Sequence, residues 1–365
     1  MASMQYQNVC LEALAYSLPD EIVHSSEIEA WLEPLYSRLR LPEGRLELMS
    51  GIAQRRFWPA GTPPSRISVE TAQEALRAAR LDKRHVGALV HGSVSRDYLE
   101  PATACGVHRR LALPDECLVY DVSNACLGLL NGMVQVANMI ELGQVRAGVV
   151  VGTESSRGLV ENTVRRLNQD TRLSRRDIKT AMASLTIGSG SAAMVLCDRE
   201  LSRTGNRLLG GVFRAHTEGC ELCQSEGHEE MMNTDAETLL KEGVAAARAA
   251  FGEFLDVLDW QGEDINKTFC HQVGRAHRKA LFEALELDPA IDFTTLERLG
   301  NTGAVALPIT AAIGIEQGHV RRGDHVALLG IGSGINVVML GVEWQRSPVS
   351  RSHRSLDQLA VEVVD

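Results

Sequence analysis

Two eleven-residue stretches of this chain echo each other: TIGSGSAAMVL at 186–196 and GIGSGINVVML at 330–340. Both read I-G-S-G and then run apolar to a final Leu. The shared isoleucines, Ile187 and Ile331, lie 144 residues apart, about half of the part expected to fold. A duplicated half explains that spacing, and it demands that a glycine turn and a buried strand recur at the same place in both halves. The competing reading is chance recurrence of a glycine turn before a strand. Around the echo, strand-like runs alternate with helix-like stretches. VGALVHGSVS (86–95), CLVYDV (117–122) and RAGVVVGTE (146–154) are the runs of the first half, NKTFCHQ (266–272) and HVALLGIGSG (325–334) those of the second. This alternation predicts an α/β fold with largely buried sheets.

The duplication divides the chain into an N-terminal half at 1–205 and a C-terminal half at 206–344, and a change of composition after Trp344 marks a polar tail at 345–365. Within the first half, 155–185 is a charged, helix-prone excursion. At 44% hydrophobic residues, the chain is expected to be soluble, with room for a large core. Its net charge of -10 repels nucleic acid and anionic lipid, so an anionic substrate needs a local basic patch. No apolar run reaches the roughly 18 residues of a transmembrane helix. The N-terminus has no basic stretch leading into an apolar one, so no signal peptide is expected. The eight scattered cysteines then read as reduced thiols of a cytoplasmic protein.

Three residues stand at the ends of strand-like runs. CLGLLNGMVQVANMIEL (126–142) predicts a helix buried on all sides, with Asn124 as its N-cap and Cys126 in its first turn. Free backbone N–H groups and the helix dipole there would favour a thiolate; the alternative is a small buried hydrophobe. His271 ends the strand-like part of FCHQVGRAH (269–277), and Asn301 sits in the glycine-flanked turn of LGNTGAVALPIT (299–310). Alone, His271 reads as a structural histidine and Asn301 as a turn residue. Together they are polar groups at the strand ends where α/β sheets gather function. Two other motifs fail on inspection. GSGSAA (188–193) fits a dinucleotide fingerprint but precedes a strand, not a helix. His216, Cys220, Cys223 and His228 are zinc-ligand types at irregular spacing, and no metal is expected.

Taken in order, NACLG, HQVGRAH, GNTGAVALP and GIGSG resemble the thiolase superfamily, and within it the ketoacyl synthase III branch with its Cys-His-Asn triad. The resemblance covers about residues 5–344. It implies a five-layered αβαβα fold of two duplicated halves, a homodimer, and no cofactor beyond coenzyme A thioesters as substrates. Cys126 would then be an acyl-accepting nucleophile, with the backbone N–H groups of Cys126 and Ser333 as its oxyanion donors. A finer similarity lies in SVSRDYLEPATA (93–104), GIAQRRFW, LTIGSGSAAMV and LLGIGSGIN, which resemble the acyl-CoA condensing enzymes of the long-chain olefin pathway. In that subgroup the glutamate equivalent to Glu100 crosses to the partner's site and acts as a base.

The implied reaction is a non-decarboxylative, head-to-head Claisen condensation of two fatty acyl-CoA molecules, releasing a β-keto acid. An ordinary acyl-CoA must lose an α-proton to become a nucleophile, which calls for a carboxylate; Glu100 supplies one. A malonyl-dependent 3-oxoacyl-ACP synthase III would need no such base. A cysteine-dependent thioesterase or acyltransferase would use Cys126 and His271 without making a carbon–carbon bond. Arg55 and Arg56 beside Trp58 match the family's early basic stretch and are expected to bind CoA phosphate and adenine.

Overall fold

A computed structural model of the chain describes residues 3–225, 227 and 231–351. To the main path of the central sheet the first half contributes five strands: β1 (Val9–Ser17), β2 (Val86–Gly92), β3 (Leu118–Val122), β4 (Ala147–Glu154) and β5 (Gly190–Asp198). The second contributes β6 (Arg207–Ala215), β7 (Lys267–Cys270), β8 (Asp292–Phe293), β9 (His325–Gly332) and β10 (Asn336–Glu343). Their order across the sheet is β8-β7-β9-β10-β6-β1-β5-β4-β2-β3. Counted outward from the junction, each half runs first, fifth, fourth, second, third. The directions repeat as well: within each half the second strand is parallel to the third and fourth, and the fifth is antiparallel to both neighbours. The echo thus marks the entry to the last strand of each half, and the duplication is a property of the fold.

Period-2 alternation along these strands explains the layering. On β5, Ala193 and Val195 face outward against α1 (Pro64–Ala79) and α2 (Thr103–Leu111), while Ala192, Met194 and Leu196 face inward. On β10, Val337 and Met339 pack with a distal pair of helices, Ala236–Leu258 and Arg275–Leu285. Val338, Leu340 and Val342 instead join the inward set from β5 in one central cluster. Between the two inward faces lie the central helices, α3 (Gly128–Glu141) and Ala306–Glu316. Every residue from Ala306 to Ile315 is buried, because this helix has a sheet on both sides. The result is five layers, αβαβα.

Close approach at one end of α3 fixes the site. A Cβ on Gly152 would lie 2.4 Å from both the Gly92 carbonyl oxygen and Leu129 Cδ1, and one on Gly92 would lie 2.6 Å from the Gly128 backbone. Only glycines let the helix start seat this tightly on β2 and β4.

The charged excursion at 155–185 forms two helices, Arg157–Gln169 and Arg175–Leu185. Their apolar faces, with Val160, Val164 and Ile178, pack on Ile28, Leu32, Leu35 and Phe57 of the N-terminal segment. Beyond Trp344 the chain does not simply trail away. Val349–Arg351 pairs in parallel with Leu14–Tyr16 of β1. Residues 352–365 of the expected tail fall outside the described residues. No helix among the described residues is long and apolar enough to cross a membrane.

Candidate active site

The duplication carries chemistry to one place. Cys126 precedes the central helix of the first half, and Asn301 precedes that of the second. His271 follows β7, the counterpart of β2, whose following loop bears Glu100. Cys126, His271 and Asn301 line one cavity of about 280 Å³, together with Ile187, Ile331 and Ser333 from the two echo segments. Most of its remaining wall is apolar, with Met182, Leu239 and Leu240 among the contributors.

The local geometry corrects the expected start of the helix. It runs from Gly128 with Leu127 as N-cap, so Cys126 lies just outside the first turn. Asn124 is not a cap. Its Nδ2 donates to Asn131 Oδ1 at 2.8 Å, and its Oδ1 accepts from Asn336 Nδ2 at 3.2 Å. Between them Ala125 adopts φ 44°, a left-handed conformation costly for a residue with a Cβ. That strained turn aims Cys126 at the cavity. Nor is the thiol acidified by the helix. Burial pushes it up to about 12, and Cys223 and Glu154 add to the rise. Burial thus favours the protonated thiol at Cys126.

His271 has both ring nitrogens buried and without a hydrogen-bond partner among the described residues, an arrangement that leaves two polar atoms for a bound molecule. Burial, with a smaller contribution from His277, pulls it down to about 4. It is neutral at pH 7 and can donate from one nitrogen. Asn301 is held by its own turn: its N–H donates to Thr186 O at 3.0 Å, its carbonyl accepts from Gly188 N at 2.9 Å, and its Oδ1 accepts from Gly303 N at 3.0 Å. The amide nitrogen remains for the cavity. Ser333 lies in the turn between β9 and β10, where Gly334 takes φ 133°.

Burial of two histidines has a measurable consequence. His91, like His271, is pulled down to about 4 by burial, whereas an unfolded histidine titrates near 6.5. Between these values the unfolded chain binds protons that the folded chain does not, so stability falls as pH falls. From pH 7 to pH 5 the loss is on the order of 2 kcal/mol per histidine. Denaturant unfolding of His271→Gln should show a smaller drop over this interval than the unaltered protein; an equal drop would contradict the assignment.

Glu100 does not line the cavity. It is exposed on the loop after β2, among exposed Tyr98 and Leu99, with Leu118 exposed on the edge strand β3. The expected CoA-binding group is corrected outright. Arg55 and Arg56 are wholly buried, 0% and 1% exposed, and cannot meet a phosphate in solvent. Arg55 donates to Ser25 Oγ at 3.0 Å and Leu185 O at 3.2 Å, Arg56 to Pro19 O at 2.6 Å. Trp58 is buried too and donates to Glu154 O at 3.1 Å. These side chains knit the N-terminal segment to the first half.

Sequence reasoning missed His277 and misjudged Cys223, both of which line the cavity. His277 follows His271 by six residues in the same motif, the one signal that could have flagged it. His216 faces Glu242 at 3.4 Å, Cys220 is exposed, and His228 lies outside the described residues. No three His, Cys, Asp or Glu side chains are grouped to hold a metal ion among the described residues.

Comparison with known proteins agrees with this architecture. Residues 58–200 match the thiolase N-terminal domain, and residues 255–344 match the C-terminal domain of 3-oxoacyl-[acyl-carrier-protein] synthase III. The acyl-CoA:acyl-CoA alkyltransferase of Shewanella oneidensis is 42% identical, over 93% of this chain and 100% of its own. That of Xanthomonas campestris pv. campestris is 37% identical, with the same coverage of each. A crystal structure of Xanthomonas campestris OleA, a Cys→Ser variant with bound lauric acid and lauroyl-CoA, superposes with a TM-score of 0.89 at 36% identity, covering 93% of this chain and 100% of that one. Fold and relatives define an acyltransferase of the thiolase superfamily, in its ketoacyl synthase III branch. Within that branch the chain belongs to the acyl-CoA:acyl-CoA alkyltransferase family.

Proposed function

We propose that this enzyme joins two fatty acyl-CoA molecules head to head without decarboxylation. The observation that carries the reading is the convergence of Cys126, His271 and Asn301 on one largely apolar cavity, in a chain whose relatives act on two acyl-CoA molecules. The Cys126 sulfur attacks the first thioester, forming acyl-Cys126 while the thiol proton leaves with coenzyme A. The backbone N–H groups of Cys126 and Ser333 stabilise the tetrahedral oxyanion. Glu100 removes the α-proton of the second acyl-CoA, and neutral His271 with the Asn301 amide donates to the enolate oxygen. The enolate carbon attacks acyl-Cys126, the Cys126 thiolate leaves and takes a proton, and the resulting β-ketoacyl-CoA is hydrolysed to a β-keto acid and coenzyme A.

Glu100 reaches this chemistry from a second copy of the chain. The exposed apolar residues Val94, Tyr98 and Leu99 on its loop are what such a homodimer would cover. The eight free cysteines favour a cytoplasmic enzyme, and the product suits an olefin-forming pathway.

Two measurements test the scheme. Purified enzyme given myristoyl-CoA alone should release thiol and form a β-keto acid, or the ketone it yields on losing CO2. A requirement for malonyl thioester would establish the decarboxylating synthase instead, and myristate as the sole product a thioesterase. Asn301→Ala should slow condensation about a hundredfold, the usual cost of one oxyanion donor; an unchanged rate would remove Asn301 from the scheme.

A further inference from the structure

We propose that Glu154 is a positioning residue that clamps the loop bearing Glu100 to the turn bearing Asn301, and thereby decides whether the acyl-enzyme is condensed or hydrolysed. The inference rests on the condensing reading above.

Glu154 ends β4 and is 5% exposed. It forms no salt bridge among the described residues; its carboxylate is held by four hydrogen bonds instead. Oε1 accepts from Val94 N at 3.0 Å and Ala304 N at 3.3 Å. Oε2 accepts from Ser95 N at 3.1 Å and Ser95 Oγ at 2.9 Å, and Ser95 Oγ in turn accepts from Ser155 N at 3.0 Å. All four donors come from two segments. One is the loop that leads on to Glu100. The other follows Asn301, whose Oδ1 accepts from Gly303 N. Contact there is close, since a Cβ on Gly303 would lie 3.1 Å from Glu154 Cγ.

The residue type is demanding. Three backbone N–H groups and a hydroxyl converge on one side chain, so both of its oxygens must accept. A glutamine would turn an N–H₂ toward one of those donors and leave a buried N–H unpaired. Alanine or leucine would leave all of them unpaired. The clamp also spans the duplication, joining the loop after β2 to the turn before the second central helix. In the proposed dimer it would set the aim of Glu100 toward the partner's site from the geometry of its own.

The test compares the unaltered enzyme, Glu154→Gln and Ser95→Ala with myristoyl-CoA alone, reading the ratio of free myristate to β-keto product. This ratio does not depend on how much enzyme is folded. A loosened Glu100 loop leaves acylation of Cys126 ahead of condensation. The ratio should rise about tenfold in Glu154→Gln, the scale of a hydrogen bond to a charged group, and less in Ser95→Ala. Should Glu154→Gln not fold, a raised ratio in Ser95→Ala supports the clamp and an unchanged ratio overturns it. Both products falling in proportion in either variant would show that Glu154 serves only the fold. If the unaltered enzyme makes no β-keto product at all, the condensing reading fails and the clamp with it, a result distinct from an unchanged ratio.

Discussion

Cys126→Ala abolishes acyl transfer: the expected loss is at least about a thousandfold, because removal of a nucleophile leaves only binding and the oxyanion donors to act. The fold should survive. Cys126 is half-buried on a cavity wall outside the helix proper, so the substitution disturbs neither α3 nor the glycine contacts beneath it. Intact-mass measurement after exposure to acyl-CoA checks this directly. The unaltered protein should gain one acyl group on the peptide containing Cys126, and the variant none. The control matters because Cys223 lines the same cavity. An acyl group found on Cys223, or retained activity in the variant, would contradict the assignment.

Glu100→Ala separates the two halves of the reaction. Acylation of Cys126 should persist, while condensation falls by roughly a hundred- to ten-thousandfold, the usual worth of a positioned base. An exposed glutamate in a loop contributes little to stability, so the loss is readable as chemistry. Mixing the two variants sharpens the test. If Glu100 serves the partner's site, a hybrid dimer of Cys126→Ala with Glu100→Ala regains one complete site and some condensation. If each chain uses its own Glu100, neither hybrid site is complete and the mixture stays inactive. Loss of acylation together with condensation in Glu100→Ala would mean that Glu100 is not the α-proton base.

Much of this was legible in the chain because duplication and strand-end chemistry are local in sequence. The echo at Ile187 and Ile331 pointed to two halves, and their strand orders are identical. Cys126, His271 and Asn301 each announce themselves by a glycine-rich or polar turn beside an apolar run. The failures have physical causes. Arg55 and Arg56 look like surface charge, but the strand Gln54–Phe57 is covered on both faces, and Ser25 Oγ, Leu185 O and Pro19 O accept from part of their guanidinium donors in place of water. Burial pulls Arg55 down to about 10 as a result. The first helical turn was misplaced because the left-handed Ala125 postpones the helix, a conformation that no alanine advertises. Cavity walls such as Met182 and Leu240 come from distant segments, and nothing local in the sequence brings them together.

The most direct test of the central claim uses myristoyl-CoA labelled isotopically at its carbonyl carbon, as the only substrate. Head-to-head condensation carries both labels into the β-keto acid. Heating then expels one as labelled CO2 and leaves a ketone with one label, at its carbonyl. That outcome is the one predicted here. A label found only in free myristate, or no carbon–carbon product until a malonyl thioester is supplied, would contradict it.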